Sequence, residues 1–126
     1  MDKREDQEAQ RQPERFLPLP QAALNILLAL LEEEAHGLGI RKAIEERTGG
    51  EVRMRAGTLY EALHRLDRDG LIAELEEPPS DQATSRWRYY RITAFGRQVL
   101  RAEMKRLDAI VAYAKSHDMA PESEGS

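Results

Sequence analysis

Along the chain, apolar positions change from helical spacing to strand alternation and back to helical spacing. Residues 1–16 are polar and of mixed charge with no usable period, so a flexible N-terminal arm is expected. Leu17-Pro18-Leu19-Pro20 then sets a helix start, since proline fits a first turn and not a helix interior. Leu24, Leu27, Leu28 and Leu31 fall on one face of that helix, but Ala23, Ile26 and Leu30 are apolar too. A helix that is apolar nearly all round must be covered on more than one side. A second subunit could supply the extra cover, which makes Leu24, Leu27 and Leu28 candidate dimer contacts.

After Gly37 and Gly39 a second, short helix is expected from about Leu38 to Arg47, with Ile40, Ala43 and Ile44 inward and Thr48-Gly49-Gly50 as its stop. The third helix opens with Thr58 and Glu61 at capping-box spacing. Leu59, Leu63 and Leu66 form its buried stripe, and Gly70 ends it. From Leu71 to Glu77 apolar and acidic residues alternate, the period of a strand. Pro78-Pro79-Ser80-Asp81 is a loop, and Arg86 to Ile92, rich in aromatic and basic residues, reads as the returning strand. Thr93 is an N-cap for a last helix along which Leu100, Met104, Leu107, Val111 and Ala114 step by four and three. That is a coiled-coil seam, so these five are the remaining candidate dimer contacts.

The predicted architecture is mainly α with a small β-hairpin: a winged helix-turn-helix plus a long C-terminal dimerisation helix. Its expected bounds are an arm at 1–16, the winged domain at 17–92, the long helix at 93–117 and a loose tail at 118–126. A length of 126 residues suits one domain with tails. The longest apolar stretch, Ala22–Leu31 broken only by Asn25, is well short of the roughly twenty residues that span a bilayer. The first ten residues have no apolar run of the secretory kind, and there is no cysteine, so a cytoplasmic protein is expected, with no membrane partner.

A net charge of −4 does not by itself suggest a nucleic-acid partner, but the cations are not evenly spread. Between Gln82 and Ala102 lie Arg86, Arg88, Arg91, Arg97 and Arg101 with no acid, and between Val52 and Tyr60 lie Arg53 and Arg55, again with none. Local field rather than total charge governs binding, so two basic islands on an acidic chain are compatible with DNA. Catalysis and cofactors find no support. His36, His64 and His117 make no HxxxH pair, no metal site is expected, and Gly37-Leu38-Gly39 lacks the rest of a dinucleotide loop. No Gly-x-Ser-x-Gly elbow is present.

The third helix, with Leu59, Leu63 and Leu66 inward, turns Tyr60, Glu61, His64, Arg65 and Arg68 outward. A helix entering the major groove needs small residues and donors near its N-terminus, which Gly57 and Thr58 supply, and cations nearby, which Arg53 and Arg55 supply. An ordinary solvated amphipathic helix fits the same period. On the returning strand Thr84, Ser85, Arg86 and Arg88 sit near the wing tip, where arginine can track phosphates. Those arginines can equally pair across the hairpin with Glu74, Glu76 and Glu77. Two functions of different class follow: a sequence-specific DNA-binding regulator, or a winged-helix module that binds protein, which the acidic total favours.

Gly57-Thr58-Leu59-Tyr60, continuing through Arg65-Leu66 to Gly70-Leu71-Ile72, resembles the signature of the PadR family of transcriptional regulators. Tyr89 to Arg97 resembles that family's junction between wing and last helix, and Ile26 to Leu31 with His36-Gly37 resembles its first helix and turn. The family more often carries tyrosine where His36 stands. The likeness spans roughly residues 17–115. It implies a homodimeric repressor of a palindromic double-stranded DNA operator, reading DNA with residues 55–68 and 84–89 and dimerising through about 94–115. It also implies a possible small-molecule effector of unknown identity near the dimer interface. The last helix has only Phe95 and Tyr113 as aromatics, so a stacking pore along it is not expected.

Overall fold

In the computed structural model, which describes residues 11–80 and 87–122, the helices follow the apolar pattern closely. They are α1 (Gln21–Glu32), α2 (Gly37–Arg47), α3 (Ala56–Arg68) and α4 (Ala94–Lys115). The strands are β1 (Ala35–His36), β2 (Ile72–Glu74) and β3 (Tyr89–Ile92), in the antiparallel order β1-β3-β2. Tyr90 of β3 stands opposite Ala35 on one side and Glu74 on the other. The result is a winged helix-turn-helix body carrying one long C-terminal helix.

The centre of the body is α1, which packs against α2, α3, β3 and α4. Ile26 and Leu27 are fully buried among Ile40 and Ile44 of α2, Leu59 and Leu63 of α3, Leu71, Ile72 and Val99. This corrects the expectation that a second subunit covers α1, because the chain's own helices and wing do so. Leu27 has no surface left for a partner, and Leu24 and Leu28 are half-buried against the same core. Asn25, the one polar residue in the run, is buried and accepts a hydrogen bond from the Arg47 guanidinium at the end of α2.

Two local expectations change. The capping box at Thr58 and Glu61 does not form: α3 begins at Ala56, Arg55 is the N-cap with no side-chain bond, and Thr58 is already inside the helix. Buried Met54 fixes the entry of the chain, and Ala56 and Gly57 accept helical geometry, so the helix extends backwards past Thr58. The hairpin strands are also shorter than their alternation suggests, and β1 is not legible at all. A two-residue strand has no period and exists only because β3 offers an edge.

Near the N-terminus, Pro13–Phe16 forms a 3-10 turn inside the span expected to be flexible. It is held from a distance: Phe16 meets Phe95 edge-on at 5.6 Å, and the Arg11 guanidinium lies 4.1 Å over the Phe95 ring. Arg11 also donates to the Asp69 carbonyl at the end of α3. Further along, Glu103 of α4 is fully buried and accepts from the Leu19 N–H at 2.7 Å and from Arg106. Its bond from Arg106 holds the carboxyl below the usual carboxylate range, and the Leu19 N–H helps, against the opposing effect of burial.

Helix α4 starts where the sequence places it. Thr93 is the N-cap, its Oγ1 accepting from the Gly96 N–H at 2.9 Å. The Thr93 N–H donates to the Leu71 carbonyl at 3.0 Å, tying the helix start to the foot of the wing. Of the predicted seam, Leu100 is buried in the chain's own core and cannot meet a partner. Met104 and Val111 are exposed, Leu107 and Ala114 half-buried, and Ile110 and Tyr113 add further exposed apolar surface.

Candidate nucleic-acid interface

Periodicity alone positions the outer face of α3. With Leu59, Leu63 and Leu66 inward, the exposed positions are Gly57, Thr58, Tyr60, Glu61, His64, Arg65 and Arg68. A Cβ placed on Gly57 would meet nothing within 4 Å, so the first turn of the helix is open to an approaching surface. Arg53 and Arg55 are exposed immediately before it, and among the described residues neither has an ion pair. Arg65 and Arg68 differ, since they pair with Glu61 at 3.3 Å and with Asp69 at 3.2 Å. Exposed pairs of this kind are weak and can exchange partners.

Thr84, Ser85 and Arg86 lie outside the described residues. Arg88 is exposed, 3.8 Å from the Glu74 carboxylate, so for this arginine the cross-strand pairing forms. Tyr89 and Tyr90 are buried, while Trp87 is half-exposed.

Sequence reasoning missed the concavity between α3, the start of α2 and the wing. It is a cleft of about 420 Å³ into which Tyr60, His64 and Asp67 of α3 face Glu74, Trp87, Arg88 and Tyr90 of the hairpin. Tyr60 lies across Gly37, where a Cβ would come within 3.1 Å of the phenol oxygen. His36 forms the back wall. Its Nδ1 accepts from the Gly39 N–H at 3.2 Å, which caps α2, and its ring lies against Trp87, tilted by 50° with 4.2 Å between centroids. The sequence marks His36 only through the family resemblance of His36-Gly37, not as a helix cap.

The His36 cap has a pH signature. Burial holds the imidazole below its ordinary value of 6.5, and a protonated Nδ1 could no longer accept from Gly39. The unfolded chain therefore takes up the proton first. The contribution of this group is intact above 6.5 and is lost as pH falls from there toward the lower folded value. Urea midpoints at pH 7.5 and 5.5 should differ more in the wild type than in His36→Asn, where asparagine caps without titrating. Equal differences would show that His36 is not the titrating cap.

Among the described residues no group of His, Cys, Asp or Glu is placed to hold a metal ion, and no helix is long and apolar enough to cross a membrane.

Comparison with known proteins agrees with the geometry. A transposon protein of Streptomyces fradiae is 37% identical over 82 residues, 65% of this chain and 21% of that protein's length. The transcriptional regulator Rv3488 of Mycobacterium tuberculosis is 33% identical over 87 residues, 69% of this chain and 76% of that one. Among solved structures, a PadR family transcription regulator from Clostridium difficile superposes with a TM-score of 0.64 at 23% identity, covering 78% of this chain and 98% of that one. Bacillus subtilis PadR, solved in complex with operator DNA, superposes with a TM-score of 0.57 at 22% identity over 69% of this chain and 48% of that one. Residues 26–102 match the family described as the transcriptional regulator PadR-like family, a span running from α1 into α4. With the family pattern covering more than half its length and the winged body in place, this chain belongs to the PadR-like transcriptional regulators.

Proposed function

We propose that this regulator is a homodimeric repressor that binds a palindromic DNA operator, inserting α3 into the major groove and setting its wing on the flanking backbone. One observation carries the reading: the first turn of α3 is open at Gly57 and is preceded by two exposed arginines that have no ion pair among the described residues. Helix N-termini and free guanidinium groups are the usual partners of phosphate, and small residues admit close approach to base edges. The operator complex of Bacillus subtilis PadR supports the same use of a similar body. Tyr60 and His64 are then base-edge or phosphate contacts, Thr58 and Glu61 stand at the groove entrance, and Arg65, Arg68 and Arg88 exchange carboxylate for phosphate. Thr84, Ser85 and Arg86 would extend the wing contact. Dimerisation uses the exposed seam of α4, from Met104 through Leu107 and Val111 to Ala114.

Salt dependence tests this directly. Replacing Arg53 and Arg55 together by alanine should flatten the plot of log affinity against log salt by about two units, one for each phosphate lost. The loss should be similar on operator and on unrelated DNA. An unchanged slope would remove both arginines from the interface. A wild type with no salt-dependent DNA affinity would favour the protein-binding reading that the acidic total suggests.

A further inference from the structure

The cleft between α3 and the wing carries more carboxylate than guanidinium among its described lining residues. Among its described lining residues stand two carboxylates, Asp67 and Glu74, and one guanidinium, Arg88. Arg88 is taken up by Glu74 at 3.8 Å, whereas Asp67 has no ion pair among the described residues. Both carboxylates act on the same spot: burial first, then Glu74 and more weakly Asp67, hold the Tyr90 phenol above its ordinary value, with Arg88 opposing. Most of the remaining described wall is ring-bearing, Tyr60, Trp87, Tyr90, His36 and His64, with Gly37 and Leu38 at the start of α2 completing it. Tyr60 and Trp87 are each about half exposed, and Trp87 is backed by the His36 ring.

A pocket whose described lining is net negative and rich in aromatic rings favours positive charge on an organic body. Ring quadrupoles attract a cation over the face, most strongly for tryptophan and tyrosine, and the attraction grows where water is excluded. A cavity of about 420 Å³ is within the size range of small-molecule sites. A second anion there would meet Asp67, which has no ion pair among the described residues, and a neutral ligand would leave that charge unanswered.

We propose that this cleft is a binding site for a small organic monocation, a quaternary or aromatic ammonium compound, with Asp67 as counter-ion and Tyr60 and Trp87 as the ring faces. An occupant would stand between Tyr60 and a DNA groove, so on the reading above it would act as an inducer. The binding itself does not depend on that reading.

The test needs no DNA and uses a built-in reporter, because Trp87 is the only tryptophan in the chain. Its fluorescence is followed while benzyltrimethylammonium chloride is added at constant ionic strength, with benzyl alcohol as the neutral comparator. A saturable change should appear with the cation, at a midpoint about tenfold or more below that of the alcohol. Asp67→Asn, on the exposed face of α3, should raise the cation midpoint about fivefold and leave the alcohol response unchanged. The absence of a saturable change would overturn the proposal, as would equal midpoints for the two compounds. So would a folded Asp67→Asn protein that binds the cation as well as the wild type does. The comparison of the two compounds on the wild type stands alone, whatever the variant does to the fold.

Discussion

Replacing Gly96 by alanine is expected to lower the melting temperature by about 10 °C or more, at matched protein concentration. A Cβ at this position would lie 2.0 Å from the Leu71 carbonyl oxygen and 2.9 Å from Ile92 Cγ1. The first of these atoms is backbone, so no side-chain rotation relieves the clash. Nor can the backbone move cheaply. The Leu71 carbonyl accepts from the Thr93 N–H at 3.0 Å, and Thr93 Oγ1 lies 2.6 Å from the Gly70 carbonyl as its donor. Gly70 itself sits at a φ of +79°, in the left-handed region that favours glycine, just after α3. Overpacking a core commonly costs about 1–3 kcal/mol, and a contact against fixed backbone belongs at the upper end. That is a large part of the roughly 5–15 kcal/mol by which a domain is stable. Thermal melts followed by far-ultraviolet circular dichroism would measure it. A shift of a degree or two would mean that α4 can tilt away from the wing, and that the close approach is not a packing requirement.

The reach of the sequence, and its limits, follow from how far apart the interacting residues are. The buried stripe of α3 is legible because Leu59, Leu63 and Leu66 repeat at helical spacing, and the exposed face follows as its complement. The start of α4 is legible because its cap is local, Thr93 to Gly96. The Arg11 contact with Phe95 joins positions more than eighty residues apart, and no period announces it. The same is true of Glu103, whose burial is tolerable only because Leu19 and Arg106 supply its hydrogen bonds. A seam read from spacing also cannot say which of its residues face the chain's own body. Leu27 and Leu100 have the right period for a dimer contact, yet both are closed inside the single chain. The cleft is the extreme case, since it gathers His36, Tyr60, Glu74 and Trp87 from the start of α2, from α3, from β2 and from the stretch just before β3.

Introducing a charge at Val111 is expected to separate the proposed dimer while leaving each subunit folded. Val111 is 41% exposed in the single chain, so a glutamate there meets water and costs the isolated subunit little. Leu100, one seam step before Met104, is buried by the chain's own core, and a charge at that position would confuse unfolding with dissociation. In a two-fold interface the same patch is used twice, so Val111→Glu places two carboxylates in one apolar contact. An unpaired buried charge costs about 3–5 kcal/mol, which corresponds to a dissociation constant raised by a factor of about a thousand. Operator affinity should fall with it, because each monomer then holds only one half-site and the second contact is no longer intramolecular. Sedimentation equilibrium would give the mass, circular dichroism the helix content, and a gel-shift titration the DNA affinity of the same preparation. A folded monomer with weakened operator binding is the expected outcome. A variant that remains a dimer and binds DNA normally would move the subunit contact off this face of α4, and the exposed Ile110 and Tyr113 beside it would be the next positions to charge.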